Sequence, residues 1–595
     1  MTGDRIVRIG GASGAWGDSP RAIPQLLTAE LDYLMMDYLA EVSMSLLARA
    51  RMKDPSGGFP PDFVAYLAPH LAEISRRGIK VVSNAGGVNP KGCAAALKAA
   101  CDSLGLNLGI AVVEGDDVLP IIEQLRADGV REAVSAAPLP ARLLTANAYL
   151  GALPIKSAFE AGADIVVTGR CADSALALGA LMNEFGWAQD DYDRLAAGSL
   201  VGHLLECGAQ GVGGLHTDWR EVPDWANIGY PIAECRPDGA FTLTKPAGTG
   251  GLVIPGSAAE QVLYEIGDPA AYILPDVVAD FSHVRLKAEG RDRVGVSGAK
   301  GRPATDSYKV SATWQDGYRA VATVSIVGME AAAKAERTGE ALIARARLAF
   351  AERGLADFTA THIEALGAEA SYGEGSRGRA SREVLLRLVV THESREALEL
   401  FARELGSVGI SFAPGTTGIY SGRPKPAPQI RLFTLFVQKT ALAPPTVTLG
   451  DAQWAVPIPA GAPYAAPAAV VAPPALAPER GSTAPTPLIR LALARSGDKG
   501  DTANIAIIAR DPAFVSVLRR EVTPERMAAH FAALAAGPVQ RFEAPGLNAF
   551  NFLLHDALGG GGMASLRIDP QGKAYGQMAL EMIIDVPTDL LEPVS

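Results

Sequence analysis

A chain of 595 residues is longer than one hydrophobic core usually organises, so two to four domains are expected. With 48% hydrophobic and 20% charged residues it is globular rather than disordered, and its 63 glycines exceed the roughly 7% of average usage. A net charge of −11 excludes a general field for nucleic acid or anionic membrane, and five cysteines without a C-x-x-C exclude a disulfide framework or a zinc ribbon.

The first 290 residues repeat one phrase: a short apolar β-type run, a glycine-rich or polar turn, then an amphipathic helix. Arg5–Ile9 runs into GGASGAWGDSP, and Tyr33–Leu39 into Ala40-Glu41. Ile79–Val82 runs into SNAGGVNPKG and an Ala-rich helix, Leu108–Val113 into EGDD, and Asp164–Val167 into TGRCADS. Strands alternating with helices predict an α/β body, 1–290, around a glycine-rich, mostly parallel sheet covered on both faces. From 291 to 440 the pattern changes to an α+β subdomain. Two strands are expected around the Asp316-Gly317 turn, followed by a helix over Met329–Arg353, a strand over Val384–Val390 and a helix over Ser394–Leu405. Residues 441–487 are dominated by Ala and Pro and predict a semi-extended linker. Residues 488–595 predict a small α+β domain, an open-faced sandwich, with late strands at Met563–Ile568 and Tyr575–Val586. No apolar stretch reaches the ~18–20 residues of a membrane span, and MTGDRIVRIGG lacks the signal-peptide pattern. A cytoplasmic location is expected.

In an open parallel sheet, ligands bind beyond the carboxyl ends of the strands. The glycine-rich turns all follow strands, so they are expected to converge on one edge. The first supplies Gly11, Ser13, Gly14 and Asp18, where backbone N–H groups can approach an anion or simply make a tight turn. The string is neither G-x-G-x-x-G nor a Walker loop, so no tightly bound NAD, flavin or ATP is expected. The second turn supplies Asn84, Gly86, Gly87, Asn89 and Lys91, which suit a carboxylate or phosphate or form an Asn-capped helix with a solvated lysine. The third supplies Gly169, Arg170, Asp173 and Ser174, either an anion site or an Arg–Asp structural pair.

Asp37 and Glu41 bracket the end of the second strand and can divide acid and base roles. Glu41 reads first as an acid at a helix start, where it complements the dipole, and second as a catalytic partner of Asp37. His203 and Glu206 share a helix face and His216 and Asp218 follow, so the four can form a metal site, but no known ligand pattern appears; structural histidines are the other reading and no metal is assigned. His216, just after a glycine-rich stretch, is the general-base candidate. Lys245, Thr249 and Gly250 form another glycine turn with a cation. In the small domain Ser496, Asp498, Lys499 and Asn504 form either a polar hairpin loop or part of a site.

The strings IGGASGAWGDSP, DYLAEVSMSLL, VSNAGGVNPKG, NAYLGALPI, GADIVVTGRCADSALALG, GTGG and SGDKGDTANI together resemble the acyclic terpene utilisation protein A (AtuA) family. The likeness spans a large domain over about 5–440 and a small companion from about 488. It implies a setting, the catabolism of citronellol and geraniol beside acyl-CoA dehydrogenation, carboxylation and hydration, but no catalytic roles. Two readings follow. One is a hydratase, lyase or hydrolase acting on a branched acyl-CoA or carboxylic acid, with a coenzyme A thioester as substrate. The other is a non-catalytic acyl-CoA-binding or assembly partner of an acyl-CoA carboxylase. A homo-oligomer is expected in either case.

Overall fold

The computed structural model describes residues 5–467 and 482–591, apart from the side chains of 41, 42 and 563. Six strands of the body are central: β1 Val7–Gly11, β2 Tyr33–Met36, β3 Lys80–Ser83, β4 Ile110–Glu114, β5 Thr145–Ala148 and β6 Ile165–Thr168. Five of them form a parallel centre in the order β1-β2-β3-β6-β4. Every residue of β2 (YLMM) and β6 (IVVT) is buried, as a sheet covered on both faces requires. The helices between them include Pro90–Ser103, Leu153–Glu160, Ala175–Phe185 and Tyr192–Leu205. The last two are buried along most of their lengths and so carry apolar residues all round.

The expectation of a mostly parallel sheet needs correction. The sheet has 11 strands and is mixed, because antiparallel strands flank the parallel centre on both sides. Ile232–Cys235 and Phe241–Thr244 extend it beyond β1, and a hairpin of Arg285–Gly290 and Arg293–Ser297 follows them. A boundary at 290/291 would cut that hairpin. Beyond β4 the sheet gains Thr446–Leu449 and Ala452–Ala455. Those residues were expected in the linker, yet Val447 is fully buried and Trp454 Nε1 donates to Ser157 Oγ at 2.9 Å. Within 441–487, residues 468–481 lie outside the described residues.

The hairpin expected at Asp316-Gly317 is instead a single 21-residue strand, Ser307–Val327. Its register against Ala427–Gln438 shifts between Gln315 and Tyr318, so Asp316-Gly317 is a bulge rather than a reversal. Gly317 has φ +70°, and a Cβ there would stand 2.6 Å from the His392 carbonyl oxygen. The first half of this strand pairs with β5, and the second half with Glu383–His392 and Thr416–Ile419. The helices Ala331–Ala351 and Arg395–Glu404 cover this second sheet.

The small domain is an antiparallel four-stranded sheet in the order Ala492–Lys499, Thr502–Ala509, Ala549–Leu554, Val539–Ala544. Tyr575–Ala579 is helical, not a strand, and Ile583–Pro587 pairs with Thr483–Pro487. The two-residue alternation of a strand sends Ile505, Ile507, Phe550 and Phe552 into the domain's own core with Val517, Leu518 and Phe531. It sends Leu493, Ala506, Ile508 and Ala549 into the core of the large body. The open face of the sandwich is therefore closed by the body. Buried amides bolt the seam: Asn504 Nδ2 donates to Leu263 O (2.9 Å) and Asn551 Oδ1 (2.9 Å), and Asn551 Nδ2 donates to Ile266 O (2.8 Å) and Gly267 O (2.6 Å). The Asp218 carboxylate takes both terminal nitrogens of Arg510.

Asn551→Leu should leave the Ile266 and Gly267 carbonyls without their donor at a cost of about 1–3 kcal/mol. Amide hydrogen exchange should then accelerate at 260–267 and in the small-domain sheet while β2 and β3 stay protected. Unchanged exchange at 260–267 would contradict this account of the seam.

Candidate functional site

The turns after β1, β2, β3, β4 and β6 meet at one edge of the parallel sheet. Asp37, the first residue past β2, is buried, and its Oδ1 accepts from Asn84 Nδ2 at 2.5 Å and from the Leu39 amide at 3.2 Å. Asn84, just past β3, is fully buried, and its own Oδ1 accepts from the Tyr38 amide at 2.8 Å. Past β6, Arg170 is only 3% exposed. Its guanidinium pairs with Asp173 and lies 4.2 Å from the centroid of the Tyr149 ring. Lys309 lies 4.7 Å from the same ring. Past β4, Asp116 Oδ2 accepts from the Arg170 amide (2.9 Å) and from Asn147 Nδ2 (2.8 Å), which fixes the start of the Arg170 turn.

The opposite wall comes from the end of helix Tyr192–Leu205. Glu206 follows it, with its side chain 13% exposed and its Oε1 3.1 Å from His203 Nδ1. Cys207, Tyr272 and Glu265 continue this wall, each partly accessible. The small domain reaches over it: Lys499 Nζ lies 5.6 Å from the Tyr272 ring centroid, and Lys573 pairs with Glu265 and the Tyr264 hydroxyl.

The electrostatics follow from packing acids together out of water. Burial pushes the Asp37 carboxyl well above its usual range, Asp173 and Glu206 push it further, and Arg170 opposes them. Burial likewise raises Glu206; its bond to His203 opposes this, and Asp173 and Glu265 add to it. Burial first, then the neighbouring acids, pushes the Cys207 thiol and the Tyr272 phenol up, so Cys207 is a neutral thiol rather than a thiolate nucleophile. Asp116 is pushed up to about 6 by burial, against the bonds it accepts from the Arg170 amide and Asn147.

Of the residues expected from sequence, Asp37, Asn84, Arg170, Asp173 and Lys499 come together here. The first glycine turn builds the wall. Ser13 Oγ donates to Asp37 O at 2.8 Å, and Asp18 accepts from the Gly14 amide at 2.9 Å and from Tyr230 OH at 2.7 Å. A Cβ on Gly14 would stand 2.5 Å from the Cys207 carbonyl carbon, so glycine is what lets the turn seat against the Glu206-Cys207 corner. Gly11 packs against Leu205 in the same way, Gly169 against Asp116, and Gly86 against Thr168. Ser174 is buried at the start of helix Ala175–Phe185.

Other expected residues have partners elsewhere. Asn89 caps helix Pro90–Ser103 through the Gly92 amide and ties it to Gly57 O, while Gly87 seats against Gly58 O. Lys91, 62% exposed, pairs with Glu114 at 2.8 Å. Lys245 is buried against Asp292 (3.1 Å) and Thr249 O (2.8 Å), with Gly250 packed on Asp224 O. His216 is in the domain seam: its Nδ1 is 2.8 Å from Glu260 Oε2, and the next residue, Thr217, bonds to the Ala494 backbone. Ser496 Oγ donates to Gly572 O and accepts from the Gly576 amide, Asp498 accepts from Gln571, and Asn504 holds the seam. The side chain of Glu41 lies outside the described residues.

His203, Glu206, His216 and Asp218 therefore split among three places: the crevice, the Glu260 pair and the Arg510 bridge. Asp116, Tyr149, Cys207, Glu265, Tyr272 and Lys309 were not singled out from sequence. Asp116 sits in the EGDD turn and Tyr149 in NAYLGALPI, so a strand-end signal existed for both. Tyr272 and Glu265 carry no motif.

Residues 7–448 match the model of the acyclic terpene utilisation family protein AtuA, and residues 486–585 match that of the AtuA ferredoxin-like domain. The chain belongs to this family. No curated protein and no solved structure matches it significantly.

Asp116 yields a linkage prediction. Its carboxyl is held at about 6 in the folded chain against an ordinary 3.8. Between those values the folded protein keeps a proton that the unfolded chain has released, so stability falls as pH rises through the window. Asp116→Asn keeps an acceptor but removes this loss. The variant should gain on the parent between pH 4 and pH 7 by at most about 3 kcal/mol in denaturant titrations. A difference between the two proteins that does not change with pH would contradict this assignment. Separately, Gly14→Ala should push the first turn off Cys207 and lower Tm.

Proposed function

We propose that this member of the AtuA family is an acid/base enzyme of acyclic terpene breakdown, hydrating a branched or terpenoid unsaturated acyl-CoA, or a related carboxylic acid, or running the reverse dehydration. The observation that carries this reading is the pair of desolvated carboxyls, Asp37 and Glu206, facing one crevice beside the Arg170 guanidinium. Acids whose environments differ can divide proton donation and acceptance. Burial and the neighbouring acids favour the protonated form of Asp37, so it suits the donor. Glu206, backed by a histidine, suits the base.

In the step as proposed, Glu206 takes a proton from water and the water oxygen bonds to the β-carbon of the enoyl group. The π electrons move toward the α-carbon and the thioester carbonyl, where Arg170 stabilises the developing negative charge. Asp37 delivers a proton to the α-carbon. One water is added, no electrons change hands, and the two carboxyls return to their starting states through solvent. The oxidation level is conserved, so the step requires no nicotinamide, flavin or nucleotide triphosphate. Lys309, Lys499 and Lys573 supply positive charge around the crevice that suits the anionic part of a coenzyme A ester.

Incubation of the full chain with a panel of saturated, α,β-unsaturated and β-hydroxy branched acyl-CoA esters should give addition or loss of 18 mass units on at least one, as expected for one water (about 18 Da) in a general acid/base hydration. Asp37→Asn and Glu206→Gln should each lower kcat by roughly 10²–10⁴-fold with substrate binding largely kept. Because Asp37 must be protonated to donate, activity should fall on the alkaline side as that carboxyl ionises. Binding of these esters without turnover, with carboxylase subunits co-purifying, would instead favour a non-catalytic assembly partner.

A further inference from the structure

His203 is 1% exposed on helix Tyr192–Leu205, and Glu206 lies three residues on, on the same face. The imidazole stacks on Phe281 and is flanked by Tyr272, so its plane is held. Its two nitrogens have different partners. Nε2 lies 3.2 Å from the Val262 carbonyl oxygen, and Nδ1 lies 3.1 Å from Glu206 Oε1. A backbone carbonyl can only accept a hydrogen bond, so Nε2 must carry a hydrogen. A neutral ring then presents a bare lone pair at Nδ1, and an ionised Glu206 presents another at Oε1. Facing each other at 3.1 Å inside the protein, those lone pairs repel. The contact is attractive in two forms only, imidazole with carboxylic acid or imidazolium with carboxylate, and both have one proton between the partners.

From this geometry we infer that His203 and Glu206 share a single proton and act as one acid/base unit, with Glu206 exchanging protons at the crevice and His203 positioning it and holding its Oε1. The idea deepens the acid/base reading above and its catalytic half rests on that reading. The charged and titratable groups around the pair are Asp37, Asp173 and Glu265, which disfavour a bare carboxylate, the cations Arg170, Lys499 and Lys573, which oppose them, and Cys207 and Tyr272. Glu206 Oε2 has no protein hydrogen-bond partner among the described residues, which leaves it for substrate or water. A proton taken up at Oε2 raises the unit from one proton to two, imidazolium beside carboxylic acid, and its loss to solvent restores the starting form. The unit can thus accept a proton without breaking the bond that orients it.

The test is nitrogen-15 NMR of the full chain with labelled histidine side chains. The chain has eight histidines, and His203 is identified by the signal lost in His203→Gln. Around neutral pH the ring should show a protonated Nε2 and an Nδ1 that is protonated or strongly hydrogen-bonded, and Glu206→Ala should convert Nδ1 to an unbonded nitrogen. An Nδ1 that is already unbonded in the parent protein, or a proton on Nδ1 with none on Nε2, would overturn the inference. This readout does not depend on turnover, so it decides the shared proton even if every acyl-CoA ester fails. Where an ester is turned over, His203→Gln should lower kcat by at least about ten-fold, the low end for loss of assisted proton transfer, with KM little changed and a displaced pH profile. An unmoved pH profile in a well-folded His203→Gln protein would reduce His203 to a packing residue.

Discussion

Asp37 and Glu206 are desolvated in one crevice beside the buried guanidinium of Arg170, with the partly exposed Asp173 and Glu265 next to them. Arg170 is paired with Asp173 and Lys573 with Glu265, and a buried carboxylate without its own cation is more expensive than proton uptake. Burial in the crevice therefore favours the protonated forms of Asp37 and Glu206. The acid/base function proposed for Asp37 and Glu206 depends on that constraint, and the surrounding architecture maintains it.

The parallel sheet supplies the convergence. Because β1, β2, β3, β4 and β6 run the same way, the residues just past each strand are brought to one edge. The glycine turns close-pack that edge. The Gly14 turn seats on Cys207 and the Gly169 turn on Asp116, leaving no room for side chains between them. The small domain finishes the enclosure. One face of its sheet completes its own core and the other completes the body's core, with Asn504 and Asn551 satisfying carbonyls at 263–267. The segment those amides hold contains Glu265 and leads on to Tyr272, so docking of the small domain and the shape of the crevice are linked.

Much of this was legible from residues alone where the signal is local. Asp37, Asn84 and Arg170 each follow a short apolar run, and the rule that ligands sit beyond the strand ends locates them together. Local signals failed where two structures share them. Asp-Gly opens a hairpin or forms a bulge with equal ease, and at 316–317 the choice is made by long partners at Glu383–His392 and Ala427–Gln438. An Ala/Pro-rich composition hid the paired strands at 446–455, whose place depends on Val447 and Trp454 finding β4 and Ser157. The histidines show the same limit. His203 and His216 lie close in sequence, and proximity does not decide their places: the first faces Glu206 in the crevice and the second faces Glu260 in the seam. Tyr272 and Glu265 reach the site from irregular segments, and only the fold brings them there.

The most direct test of the protonated crevice is infrared difference spectroscopy of the full chain at neutral pH, comparing the parent with Asp37→Asn. The account predicts a carbonyl-stretch band of a protonated carboxylic acid in the parent that disappears in the variant. Carboxylate bands alone in both proteins, with no protonated acid at neutral pH, would contradict it.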